Sequence, residues 1–163
     1  MQNTKNISKN QIKLFDISVD KKEEQKIIKI LRSKFWASGS GNGLVREFES
    51  KFKNFTDSKS CIAVNSGTAS LHLALSLFNI KNKEVILPSL SFVSTAHAVI
   101  LNGGIPKFVD IDPKTLCIDP YEINKKITKK TRLVLPVHFA GMACNLKEIL
   151  NICKTQSLFL VED

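Results

Sequence analysis

The sequence predicts an α/β protein of three layers: a mainly parallel sheet with helices packed on both faces. Two observations predict it. From residue 60 onward, short apolar runs alternate with helical segments, and that alternation implies right-handed crossovers between parallel strands. The runs themselves are nearly continuous in apolar residues, the pattern of strands covered on both faces.

The elements follow in order. Residues 1–17 read as a polar N-terminal arm with a short apolar patch over 12–17. Residues 18–163 read as one large domain. Asp20 with Glu23 three residues later forms a capping box. The helix it opens is expected to run to about Trp36, with Ile27, Ile28, Leu31 and Phe35 on one face. ASGSGNG then breaks the chain, and a second helix carries Leu44, Phe48 and Phe52 at helical spacing. SCIAV reads as a strand, GTASLHLALSLF as a helix, EVILP as a strand, SFVSTAHAVIL as a helix and IPKFVDI as a strand. Asp119, Pro120 and Glu122 give a helix start: an N-cap, a proline at the first helical position and an early acid. LVLPVH is a strand, NLKEILNICKTQ a helix and SLFLVED a final strand.

Composition narrows the function classes. With 43% apolar and 24% charged residues, the 163-residue chain has the make-up of an ordinary globular domain. Its N-terminus is polar and basic, without the apolar core of a signal peptide. Apolar runs such as 71–78 are too short to span a bilayer. A cytoplasmic location and no membrane partner are therefore expected. The net charge is +9, but only Arg32, Arg46 and Arg132 of the 24 basic residues are arginines. The lysines are scattered without interleaved aromatics, which reads as a solvated surface and not as a nucleic-acid interface. Cys61, Cys117, Cys144 and Cys153 show no CxxC spacing and read as reduced structural thiols. His72, His97 and His138 are too dispersed for a metal motif, so no metal is expected.

In a parallel α/β sheet, ligands bind outside the carboxyl ends of the strands. The residues following each predicted strand are Asn65-Ser66-Gly67-Thr68, Ser89-Leu90-Ser91-Phe92, His138-Phe139-Ala140-Gly141 and Glu162-Asp163. NSGTAS lies where a strand becomes a helix. Unpaired N–H groups, the close approach allowed by Gly67 and the hydroxyls of Ser66 and Thr68 suit an anion such as a phosphate. The alternative is that Ser66 or Thr68 is a plain N-cap. The segment is not a Walker loop, which needs GxxxxGK, and Gly39, Gly41 and Gly43 follow a helix and so make no dinucleotide fingerprint. Asp163 at a strand end has two readings as well, a site acid or the cap of a following helix.

Taken together, WASGSGNGLVREFE, NSGTASLHLAL, EVILPSLSFVSTAHAVILNGGIPKFVDIDPKTLCIDP, LPVHFAG and LFLVED resemble the DegT/DnrJ/StrS family of pyridoxal-phosphate-dependent sugar aminotransferases, within the aspartate aminotransferase fold. The resemblance implies that Gly67 and Thr68 cradle the cofactor phosphate, with Ser66 and Ala69 adjacent. It implies that Phe92 stacks on the pyridine ring; the alternative for Phe92 is core packing. Asp163 matches the partner of the pyridine nitrogen. A carboxylate there favours the pyridinium, the electron sink of the cofactor. At about 4 Å and an effective dielectric near 20 such a pair is worth about 4 kcal/mol, or roughly three pKa units before desolvation. Trp36 and His138 match segments near the substrate in the family, and a structural, hydrogen-bonded role is the alternative for His138.

Aminotransfer also requires a lysine that bonds the cofactor and shuttles a proton. In the family it lies beyond the VED motif, and no lysine here matches it. The resemblance therefore implies an N-terminal fragment of the large cofactor-binding domain, lacking the small C-terminal domain and inactive alone. It implies a nucleotide-linked keto sugar and an amino-acid donor, glutamate, as substrates, for polysaccharide, glycan or antibiotic sugar biosynthesis, and a homodimer at full length. Two alternatives stand: a sugar dehydratase of the same family, and a non-catalytic truncated relative that acts by binding.

Overall fold

The computed structural model of the chain describes residues 16–35 and 43–163. The chain divides into two compact units, Met1–Cys61 and Ile62–Asp163.

In the first unit, helix α1 spans Lys21–Ser33 and opens on the predicted capping box: the Asp20 carboxylate accepts from the Lys22 and Glu23 N–H groups, and the Glu23 side chain reaches back to the Asp20 N–H. It ends three residues earlier than the apolar periodicity implies. Lys34 adopts a left-handed conformation, φ 57°, and closes the helix through its N–H to Leu31 O. Trp36 and nearly all of the glycine-rich break lie outside the described residues. Helix α2 spans Leu44–Phe55, where Phe48 and Phe52 bring their ring centroids to 5.7 Å. Gly43 before it has φ +94°, a conformation that L side chains rarely adopt.

The second unit contains α3 (Gly67–Ser76), β1 (Glu84–Pro88), α4 (Val93–Leu101), β2 (Ile105–Val109), α5 (Pro120–Lys126), β3 (Thr131–Val134), α6 (Leu146–Gln156) and β4 (Phe159–Leu160). The strands form one parallel sheet in the order β2-β1-β3-β4. Strand alternation divides the core between two faces. Val85, Leu87, Leu133 and Leu135 pack with Leu71 and Leu75 of α3 and with Ala98 and Val99 of α4. Ile86, Val109 and Val134 pack with Ile123 of α5 and with Ile149 and Ile152 of α6. This is the expected three-layer architecture. Helix α4 carries the chain from β1 to β2, and α5 carries it back past β1 to β3, so the topological switch lies between β1 and β3. The carboxyl ends of those two strands are where such a sheet opens a ligand crevice.

Three strand expectations need correction. Residues 60–64, SCIAV, are not a strand of the sheet; Ile62 is 69% exposed, whereas a side chain in a buried ladder would be covered. The β3 ladder starts at Thr131 and stops at Val134, ahead of Pro136, which has no N–H to donate. β4 is only Phe159–Leu160, yet Val161 N–H donates to Val134 O and Asp163 N–H to Pro136 O, so the chain tracks β3 to its last residue.

Candidate active site

Helix α3 returns into β1, and its N-terminus opens at the carboxyl end of the sheet. Ser66 is its N-cap: the Oγ accepts the Ala69 N–H at 3.2 Å. The plain-cap alternative therefore holds for the Ser66 side chain, and the Ala69 amide is engaged by it. The first-turn N–H groups of Gly67 and Thr68 have no intrahelical acceptor, as at any helix start. Ser66, Gly67 and Thr68 are exposed and Ala69 is half-buried. A Cβ built on Gly67 would meet nothing within 4 Å, so the chain's own packing does not require glycine there. The space beside Gly67 at the helix start is open, which fits an anion resting on the helix end.

Phe92 is the N-cap of α4 and is 76% exposed, so core packing is not its role. With Pro88, Ser89 and Ser91 it helps line a cleft of about 240 Å³ at the end of β1. Its carbonyl accepts the Thr95 N–H at 3.1 Å, which ties the ring's backbone to the first turn of α4.

Asp163 is fixed at three points. Its N–H donates to Pro136 O at 3.0 Å, its carbonyl accepts the His138 N–H at 3.0 Å, and its Oδ2 accepts from Thr95 Oγ1 at 2.6 Å. Thr95 Oγ1 in turn lies 2.6 Å from Ser91 Oγ. Thr95 is the residue that sequence reading missed. The only local signal was a hydroxyl three residues into the helix after Phe92, and its partner is 68 positions away.

His138 has both ring nitrogens engaged within the chain. The Cys144 N–H donates to Nδ1 at 3.1 Å, so Nε2 carries the proton and donates to Glu162 Oε2 at 3.0 Å. This holds the 3₁₀ turn Phe139–Gly141 beside the end of the sheet. Two buried thiols, Cys144 and Cys153, are held in the protonated form. Burial, with the Cys117 thiol beside it, pushes Cys144 up to about 12, and burial also raises Cys153. Both are protonated at neutral pH, and all four cysteines are free. Among the described residues no helix is long and apolar enough to cross a membrane, and no group of three or more His, Cys, Asp or Glu is placed to hold a metal ion.

A helix start with two first-turn amides, an exposed ring and a clamped carboxylate thus occur on elements that meet the carboxyl end of one sheet. The sequence has relatives with matching segments. It is 40% identical over 146 residues to the spore coat polysaccharide biosynthesis protein SpsC of Bacillus subtilis, covering 89% of this chain and 37% of that protein. It is 38% identical over 129 residues to the GDP-perosamine synthase of Caulobacter vibrioides, covering 78% of this chain and 34% of the synthase. Among solved structures, the E. coli GDP-4-keto-6-deoxy-D-mannose-3-dehydratase with bound hydrated PLP superposes with a TM-score of 0.81 at 30% identity, covering 91% of this chain and 39% of that one. The chain therefore spans between a third and two-fifths of the length of these proteins. The model of the DegT/DnrJ/EryC1/StrS aminotransferase family matches residues 18–163. The chain belongs to the DegT/DnrJ/EryC1/StrS aminotransferase family.

Proposed function

We propose that residues 18–163 are the front part of the large cofactor-binding domain of a pyridoxal-phosphate-dependent sugar aminotransferase. The observation that carries this reading is the Asp163 carboxylate, clamped by backbone and by Thr95 at the end of the sheet, with no bond to Oδ1 among the described residues. When bound, the cofactor supplies a pyridinium that withdraws electrons from the reacting carbon. Asp163 faces the ring nitrogen and keeps its proton in place. Phe92 covers one face of the ring and excludes water from it. The Gly67 and Thr68 amides hold the phosphate, with the Thr68 hydroxyl beside them and Ser66 and Ala69 shaping the helix start. His138 and Trp36 belong to the substrate side; His138 acts by fixing the 139–141 turn. The lysine that bonds the cofactor lies, on this reading, in the part of the relatives' length that these 163 residues do not span, so they are inactive by themselves.

The substrate is a nucleotide-linked keto sugar, with a GDP-linked sugar favoured by the names of the synthase and the dehydratase. The donor is glutamate, the assembly a homodimer and the location the cytoplasm. One observation favours a second reaction: the dehydratase shares this fold at 30% identity. The test is to incubate the protein from its complete gene with pyridoxal phosphate, glutamate and GDP-4-keto-6-deoxymannose. An amino sugar with 2-oxoglutarate supports the proposal. A deoxy sugar without nitrogen replaces it with dehydration, and cofactor binding without turnover across a panel of nucleotide keto sugars replaces it with a binding role.

A further inference from the structure

We propose that Thr95 is a positioning residue that sets the orientation of the Asp163 carboxylate and so determines which oxygen meets the ring nitrogen. The inference rests on the function proposed above. Thr95 is only 1% exposed and is one of two buried polar residues among those described. It sits in the first turn of α4, three residues after Phe92. A buried hydroxyl needs a partner, and this one has two. A carboxylate can only accept, so the single Thr95 proton goes to Asp163 Oδ2 at 2.6 Å. Ser91 must then donate across its 2.6 Å contact with Thr95 Oγ1. The Ser91 hydroxyl also lies 3.2 Å from Phe92 O, and the shorter contact takes its proton. The result is a directed chain, Ser91 to Thr95 to Asp163.

The chain has a consequence for the site. Asp163 is exposed, and a free carboxylate there would turn about its side-chain bonds. Hydrogen bonding from a buried, rotamer-restricted Thr holds Oδ2 against the protein and leaves Oδ1 as the oxygen presented outward. Because Phe92 and Thr95 share one helix turn, ring face and ring-nitrogen partner are set by the same element. Preorganisation of this kind raises affinity by removing the ordering cost at binding.

The test uses pyridoxamine 5′-phosphate, which carries the same ring and phosphate but no aldehyde to react with surface lysines. Its Kd is measured by fluorescence for the protein from its complete gene and for the Thr95→Val, Thr95→Ser, Ser91→Ala and Asp163→Asn variants. The expected result is about tenfold weaker binding for T95V, rescue to within about threefold by T95S, and a loss of about threefold for S91A. In an Asp163→Asn background T95V is expected to have little further effect, because an interaction through Asp163 is non-additive. A purely packing role for Thr95 would weaken both backgrounds alike and overturns the inference. If D163N weakens binding but neither T95V nor S91A does, the inference fails and the site reading survives. If D163N itself binds as well as the parent, the site reading fails. Should T95V not fold, the T95S and S91A pair in both backgrounds decides the same question.

Discussion

Two carboxylates sit at opposite ends of the same sheet, and their surroundings differ in kind. Glu84 starts β1, where Oε2 accepts from Thr128 Oγ1 at 2.6 Å and from Lys107 Nζ and Thr131 Oγ1 at 3.0 Å each. Its side chain is only 16% exposed. These contacts join three strands, the starts of β1 and β3 and the middle of β2, where Lys107 lies. Asp163 at the far end is exposed and takes a single side-chain bond, on one oxygen. A carboxylate saturated by its own chain is a structural clamp. One oriented through a single oxygen is prepared for something outside the chain.

The largest effect that breaks the comparison is Asp163→Asn. The amide keeps the size and can still accept from Thr95, but it cannot favour a pyridinium. Loss of a contact worth about 4 kcal/mol corresponds to roughly a 10³-fold fall in amino transfer by the protein from its complete gene. Its thermal midpoint is expected to stay within about 0.5 kcal/mol of the parent in stability, because the side chain is exposed. A large stability loss with full activity would place Asp163 with Glu84 as a clamp.

Glu84→Gln is expected to reverse that signature. Losing the charge that three donors surround costs about 1–3 kcal/mol in urea unfolding at pH 7, with turnover per folded molecule unchanged. The hydrogen bond from Thr128, with further donation from Lys107 and Thr131, holds the Glu84 carboxyl below its ordinary 4.5. Its contribution to stability is therefore fully present above the unfolded-state value and is lost as pH falls through the lower folded-state value. The gap between parent and E84Q should narrow as pH drops below about 4. A gap that stays constant with pH would mean that the carboxylate's charge is not what holds the strand ends.

The elements that were legible in the sequence are those specified locally. The Asp20–Glu23 box, the Asp119–Pro120 start and EVILP appear where capping and apolar patterning place them. What was not legible depends on partners distant in sequence. SCIAV has strand composition, but a strand exists only through its ladder. The end of α1 turns on a left-handed Lys34 that no propensity marks. In the candidate site, Ser66, Gly67, Phe92 and Asp163 stood out because each follows a predicted strand or opens a helix, and the family resemblance supplied the role expected of each. Thr95 was not, because its role is set by a contact across 68 residues, and nothing within SFVST distinguishes it from a helix hydroxyl facing water.

The smallest expected effect concerns the ring beside this chain of hydroxyls. Phe92 caps α4 through its backbone alone, with no side-chain cap bond, and its exposed ring contributes little to the core. Phe92→Ala should therefore shift stability by no more than about 0.5 kcal/mol. An aromatic stacked on the cofactor ring adds about 0.5–1.5 kcal/mol beyond area burial, so pyridoxamine phosphate affinity should fall roughly three- to tenfold. Phe92→Leu separates the two contributions: it keeps most of the apolar cover and loses the aromatic face, so an intermediate Kd is expected. Equal affinity for the Phe, Leu and Ala forms would remove Phe92 from the cofactor site. Asp163 and the α3 amides would then hold the ring and phosphate without it, and the contrast between the two ends of the sheet would rest on the carboxylates alone.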